Sequence, residues 1–483
     1  MLRRTLPLAL ALAACADRDP VDPVDPLADA GPDPTDARPV DPPPVVTTCP
    51  VSGTLAQPSL VETDPTVLAR FGFARVLDRL RATAGASGQT SLALFQGWWR
   101  SFGASPAAGD CDDPGVDPQR FGLQCPRAPE AALGAVDPLS PSSGVRFRPV
   151  GLFDRLDLAP GDGATCGEYR IVYALDAGPG AAIGGRALVI FEAALPNPDR
   201  ARGLDGCLPV ARFWQALSAE ADPAVRAARL EQLYFTGGAV PGFPAVVDAA
   251  HYGLADAGAP FAAGQIRTNT FVDSVEWSLR EFKLRRTCAT PSSCRLAFEL
   301  VPVKANPAEA LFAGTHPGST AFVGAFTAQL GGLLGADPAT LTLDVPELDD
   351  TYESVSQPAT ATVRYALRAS NATRAAVQRE LIARGSPLTT TQVLARATTQ
   401  TCAGCHEISS NADLGGGLAW PPSNGFTQID EAGTLSPALT SLFLPHRLTV
   451  LERFINARCG AAKPAVGGDP HRTLGGGLVG AAH

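Results

Sequence analysis

The sequence predicts an α+β protein: a helical N-terminal part, an antiparallel sheet with attached helices, and a small all-α domain after them. Three observations predict it. Apolar residues recur at helical spacing between about residues 63 and 99. Runs of β-branched and aromatic residues, separated by Gly-rich turns, dominate from about 145 to 345. Helical spacing returns after about 355. The 483 residues are 45% hydrophobic and 18% charged, which supplies enough apolar surface for a sizeable core. The net charge of -9 is the wrong sign for phosphate backbones and argues against nucleic acid as a partner.

The chain divides into a leader (1–14), an Asp/Pro-rich tether (15–48), a large α+β domain (49–354), a helical region (355–465) and a loose tail (466–483). In the leader, Arg3 and Arg4 precede the apolar stretch Leu6 to Ala14, which is too short for a permanent membrane span. It ends in Leu12-Ala13-Ala14-Cys15, which resembles the bacterial lipobox. The resemblance implies lipidation of Cys15 and attachment to a membrane through that lipid. Ala16 in the next position implies the outer membrane, with the protein on its periplasmic or cell-surface side. An ordinary secretory leader is the alternative. Residues 16–48, with Asp19-Pro20-Val21-Asp22-Pro23 and Pro42-Pro43-Pro44, have no core-forming pattern and read as a stiff stalk.

Thr63-Asp64-Pro65 opens a first helix through Val67, Phe71, Leu77 and Leu80, and Thr90-Ser91 a second through Phe95, Trp98 and Trp99. The aromatics of the second read as core. Tyr169 to Ala174, Ala187 to Phe191 and Gln265 to Val272 read as strands. Trp277 to Leu284 and Leu296 to Val303 answer each other across the turn between Cys288 and Cys294. Val210 to Leu217 and Ala224 to Leu233 read as helices between them. Asn371 caps a helix to Arg384 with Gly385 as its stop, Thr390 starts another running into Cys402, and Leu448 to Arg458 forms the last.

Eleven cysteines sort into three groups. Cys15 is assigned to lipid, and Cys402 and Cys405 belong to Cys402-Ala403-Gly404-Cys405-His406. The remaining eight suggest up to four disulfides in an oxidising compartment. Proximity favours Cys288–Cys294, then Cys111–Cys125 and Cys166–Cys207, which leaves Cys49–Cys459.

The pentad carries the chemistry. Two thiols at this spacing reach the two vinyl groups of one porphyrin, and the adjacent histidine reaches iron. Chance yields such a pentad about 0.003 times in a chain of this composition. A plain disulfide, a zinc site or an accident are the rival readings. The segment from about 386 to 460 resembles the cytochrome c family, on those five residues. That implies one covalent haem c, with Cys402 and Cys405 as thioether attachments and His406 as proximal ligand. The chain is also similar to uncharacterised bacterial lipoproteins that carry Gly167-Glu168-Tyr169-Arg170-Ile171 and a terminal Cys-Ala-Gly-Cys-His.

Methionine is excluded as sixth ligand by inventory, since Met1 is the only one. The iron is therefore bis-histidine, five-coordinate or bound by another group. Of His251, His316, His446, His471 and His483, the favoured ligand is His446, forty residues on and just before the last helix. The glycines of Leu414 to Pro422 suit close approach to a macrocycle, with Trp420 at its edge, or form an ordinary loop. Asp154, Asp157, Asp162 and Glu168 read as solvated loop acids rather than a calcium site. No HExxH, Walker loop or GxSxG is present. The expected function is electron transfer to a redox protein partner, by a lipid-anchored cytochrome c-like protein. The alternatives are a haem-dependent oxidoreductase with an open iron site, and a surface-binding lipoprotein with a structural or sensory haem.

Overall fold

Among the described residues, a nine-stranded sheet organises the fold. The computed structural model describes residues 55–103, 127–140, 142–178, 185–272, 277–290, 293–301, 303–307, 309–343, 353–354, 356–358 and 364–458. All of these fall within one compact unit. The leader, the tether, Cys15, Cys49, Cys111, Cys125, Cys459, His471 and His483 lie outside the described residues.

The strands are β1 (Val61–Glu62), β2 (Val145–Arg155), β3 (Thr165–Ala177), β4 (Gly185–Pro196), β5 (Ala255–Asp256), β6 (Gln265–Val272), β7 (Ser278–Thr290), β8 (Ser293–Val301), β9 (Val303–Pro307), β10 (Glu353–Ser354), β11 (Ser356–Pro358), β12 (Asp413–Gly415) and β13 (Leu418–Ala419). The main sheet runs β1-β2-β3-β4-β6-β7-β11, with β5 and β8 also on β7. All its pairings are antiparallel except β5 with β7. Thirteen-residue β7 changes neighbours along its length: β6 and β11 flank its first residues, β5 and β8 its last. The β7–β8 turn is closed by the Cys288–Cys294 disulfide, and a second disulfide joins Cys166 to Cys207. Both pairings were expected.

The helices are α1 (Pro65–Leu68), α2 (Phe73–Thr83), α3 (Ser91–Arg100), α4 (Ala128–Ala132), α5 (Leu208–Leu217), α6 (Pro223–Glu231), α7 (Glu309–Ala313), α8 (Ser319–Ala328), α9 (Tyr365–Arg368), α10 (Asn371–Ala383), α11 (Thr390–Thr399) and α12 (Leu444–Arg458). The single helix expected after Asp64 is two. Asp64 caps α1 by accepting from Thr66 N–H at 2.7 Å, but Gly72 is extended and restarts the chain into α2. Thr90 caps α3 and Thr389 caps α11. Ser370, one residue before the expected cap, caps α10.

Strand alternation gives the sheet two unlike faces. The row Leu152–Ile171–Phe191–Ile266–Phe282 points to one side. There Phe73, Phe95, Trp98 and Trp99 from α2 and α3 pack on it, with Trp98 stacked on Phe298 at 4.1 Å. The expected aromatic core is therefore observed. On the other side lie Phe153, Arg170, Val172, Ile190, Glu192 and Arg267.

The expected separate all-α domain at the C-terminal end is corrected. Residues 364–458 fold against the sheet's second face and against a second core around Trp277, Phe312 and Tyr365. Cys405, Leu414, Trp420, Leu439 and Phe454 share one core cluster with the strands, and α12 packs on α5. The part is also not all helical. Gly415, Gly416 and Gly417 take φ of 77°, 67° and 80°, a left-handed run that turns β12 back on β13. β11 extends the main sheet. Helical periodicity located the helices of this region, but it is blind to which surface they cover.

Candidate functional site

His406 stands where the C-terminal segment meets the sheet's second face. α11 ends at Thr399, and a π-helical turn, Gly404–Ile408, carries the end of the pentad. Gly404 is required: a Cβ there would lie 1.7 Å from Thr398 O. Cys402, Cys405 and His406 are all buried, and both thiols are free.

The His406 ring is fixed by its neighbours. Its Nδ1–H donates to Phe426 O at 2.8 Å. A carbonyl only accepts, so the proton is on Nδ1 and the basic lone pair is on Nε2. Asn269 Nδ2–H donates to the same carbonyl at 2.9 Å, and Asn269 Oδ1 accepts from Trp277 Nε1–H. Trp277 lies against the imidazole, 5.7 Å between centroids, and Phe426 against Trp277 at 5.0 Å. Phe426 has φ of 62°, a left-handed conformation costly for a bulky residue, and it is the conformation that presents its carbonyl here. Burial, then the nearby arginines Arg267 and Arg170, pull the imidazole down to about 4, with the Phe426 hydrogen bond opposing them. His406 is therefore neutral near pH 7. Burial pushes both thiols up to about 12, so each is protonated. Gln428 Nε2–H donates to Cys405 O at 3.0 Å.

A cavity of about 50 Å³ opens beside His406. Phe153, Val172, Leu188, Ile190 and Leu279 form its apolar wall from the sheet, and Ile429 and Leu439 close it from the C-terminal side. Arg155, Arg170, Arg267, Arg447 and Glu192 reach it among these.

The charged residues form a buried ladder across the strands. Arg170 pairs with Glu168 at 2.6 Å and Glu192 at 3.2 Å. Arg267 pairs with Glu192 at 3.3 Å and Glu281 at 2.9 Å. Arg155 grips Asp157 with Nε and Nη2, and Arg447 Nε lies 3.7 Å from the same carboxylate. Burial alone would raise Asp157 and Glu168, but Arg155 with Arg447, and Arg170 with Arg267, more than offset it and hold both below the usual range. For Glu281 burial wins, and its carboxyl is raised. Burial and the Arg155 charge bring Arg447 down to about 9. So many buried charges cost desolvation that hydrophobic packing would not, and such clusters mark functional sites.

The structure places Cys402, Cys405 and His406, close in sequence, in three different surroundings: the second core, the first core and the cavity wall respectively. It does not bring His446 to them. His446 lies on α12 with Nδ1 4.0 Å from Asp337 Oδ2, and its neighbour Arg447 faces the cavity instead. His251 is buried elsewhere on Val246 O, and the His316 imidazole accepts from Gly318 N–H. Trp420 is buried against Phe443. The reading of Asp154, Asp157 and Glu168 as solvated loop acids is corrected: Asp154 and Asp157 are buried, Glu168 pairs with Arg170 on β3, and only Asp162 is exposed. The ladder itself was missed. Its signal is a charge inside an apolar strand run, as in Tyr169-Arg170-Ile171, Phe191-Glu192-Ala193 and Ile266-Arg267-Thr268.

Among the described residues, no group of three or more His, Cys, Asp or Glu side chains is disposed to hold a bare metal ion. No helix there is long and apolar enough to cross a membrane. No family model, curated protein or solved structure matches the chain.

The donor set suits a c-type haem in kind. It offers a neutral imidazole with Nε2 basic and Nδ1–H anchored on a backbone carbonyl, as ligating histidines are held. Two protonated thiols precede that histidine in the chain, but they are buried in the two hydrophobic cores and neither lines the cavity, whose apolar walls and cationic side chains adjoin the imidazole.

Proposed function

We propose that this chain is an exported, lipid-anchored c-type haem protein whose iron has an open sixth position. In this reading Cys402 and Cys405 hold the group, His406 is its protein ligand, and Cys15 tethers the chain to the outer membrane. The observation that supports an open position is the cavity lining. Besides His406, the described lining residues include no histidine, methionine, lysine, tyrosine or cysteine. Among the described residues, with His471 and His483 outside them, the site suits a haem-dependent oxidoreductase or small-ligand site better than a six-coordinate carrier. A haem with one free position supplies one-electron and small-ligand chemistry. The chain's own residues do the rest. Phe426 O and Asn269 hold the imidazole in one tautomer, Trp277 and Phe426 keep water from it, and the arginines line the cavity beside it.

The test is a visible spectrum of the mature protein, made in a host with c-type maturation, beside His446→Ala. The expected result is a covalent haem with a high-spin spectrum that His446→Ala leaves unchanged. A low-spin spectrum that turns high-spin in the variant would restore the bis-histidine electron carrier. Absence of covalent haem would sink the reading.

A further inference from the structure

The surface that the cavity wall itself presents is more positive than the ladder behind it. Arg155, Arg170, Arg267 and Arg447 line it, against Glu192 as the one acid among the described lining residues. Asp157, Glu168 and Glu281 balance those guanidinium groups from outside the lining. The four arginines come from β2, β3, β6 and α12, so three strands and a helix converge to place them. Each is less than a tenth exposed. A guanidinium is planar, stays charged, and offers paired donors that match a carboxylate with two parallel hydrogen bonds. Apolar side chains such as Val172, Leu188 and Ile190 around these donors keep water scarce, which strengthens such bonds.

We propose that the arginine wall beside His406 is a carboxylate-binding site. The carboxylate has two possible sources. It belongs to the side chains of the covalently held haem, in which case the inference rests on the reading above, or to a free small carboxylate that enters the cavity.

The experiment is thermal melting of the chain with succinate against chloride at equal ionic strength. It uses wild type made with and without c-type maturation. Without haem, succinate is expected to raise the melting midpoint above the chloride control. In Arg447→Gln the apparent succinate affinity is expected to fall about tenfold or more, with Arg447→Lys in between because it keeps charge but loses the fork. Arg447 is chosen because it lies on α12, so the strand ladder stays in place. A response lost in the haem-loaded chain assigns the wall to the haem carboxylates. A response kept there assigns it to a free carboxylate. No response in either form overturns the proposal, as does an equal response in wild type and Arg447→Gln. If haem never attaches, the reading above fails while the haem-free melts still decide this one.

Discussion

The two faces of the central sheet share strands but not chemistry. One row across it, Leu152–Ile171–Phe191–Ile266–Phe282, meets the rings of α2 and α3. The rows on either side carry Arg170 and Glu192, and Arg267 and Glu281. The first face explains why the chain folds. Burying a side chain of that size contributes roughly 1.5–3 kcal/mol, and the rings add edge and stacking contacts. The second face does not explain folding. Buried ion pairs recover little of the desolvation they require. The difference teaches where to look for function: on the face whose residues are costly for the fold, where His406 also lies.

That contrast can be broken by substitution. On the aromatic face, Trp98→Ala removes a fully buried ring stacked on Phe298 and is expected to cost about 3–5 kcal/mol. Urea denaturation followed by circular dichroism reads it. A loss below about 1 kcal/mol would mean that this face does not dominate stability. On the ladder, Arg267→Met strands Glu281 and leaves Glu192 to Arg170 alone, and about 3–5 kcal/mol is expected to be lost. Removing all three charges together behaves differently. Glu192→Leu/Arg267→Met/Glu281→Leu leaves the Glu168–Arg170 pair in place and is expected to lie between neutral and about 4 kcal/mol more stable than wild type. The triple variant being as unstable as the single one would show that the ladder holds the fold, and the contrast between the faces would collapse.

Legibility in the sequence follows the same division. The aromatic face was readable because β-branched and aromatic runs such as Ala187 to Phe191 and the helical spacing of Phe95, Trp98 and Trp99 are local signals of burial. The two disulfides were readable because each closes a short loop or joins neighbouring elements. The pentad was readable because its spacing is chemical. The ladder was not, because each charge looks like a solvated residue until strand pairing sets Arg170 beside Glu192 and Arg267 beside Glu281. Residues 405–447 were misjudged as part of a free-standing domain for a related reason. Nothing local to Gln428, Ile429 or Arg447 says that they cover a sheet some 150 to 280 residues earlier in the chain. The turn at Phe426 was equally hidden, since its left-handed backbone is imposed by its contacts and contradicts its residue type.

The smallest expected effect concerns an acid on the aromatic side, and it sharpens the contrast because its sign is opposite to that of Asp157 and Glu168 on the ladder. Asp154 alternates with Phe153 and is buried, with Oδ1 accepting from Leu156 N–H at 3.0 Å. The Tyr169 hydroxyl lies beside this carboxyl, and its hydrogen bond only partly opposes the effect of burial. Burial, then the charge of Asp157, raises this carboxyl well above the usual range. A carboxyl raised in the folded state binds its proton more tightly there than in the unfolded chain, where it titrates near ~3.9. Stability is therefore lost as pH rises from the unfolded value through the folded one. Asp157 is depressed, so its contribution is present at higher pH and is lost as pH falls through its folded value. The two windows lie on opposite sides of the unfolded value. Asp154→Asn keeps the acceptor for Leu156, brings an amide donor toward Tyr169 and carries no charge. It is expected to match wild type near pH 4 and to become more stable than it by up to about 1–3 kcal/mol toward pH 8, the scale of an unsatisfied buried polar group. Urea melts at a series of pH values check this. A difference that stays flat with pH would show that Asp154 remains ionised in the fold and that the aromatic side, too, harbours a charge.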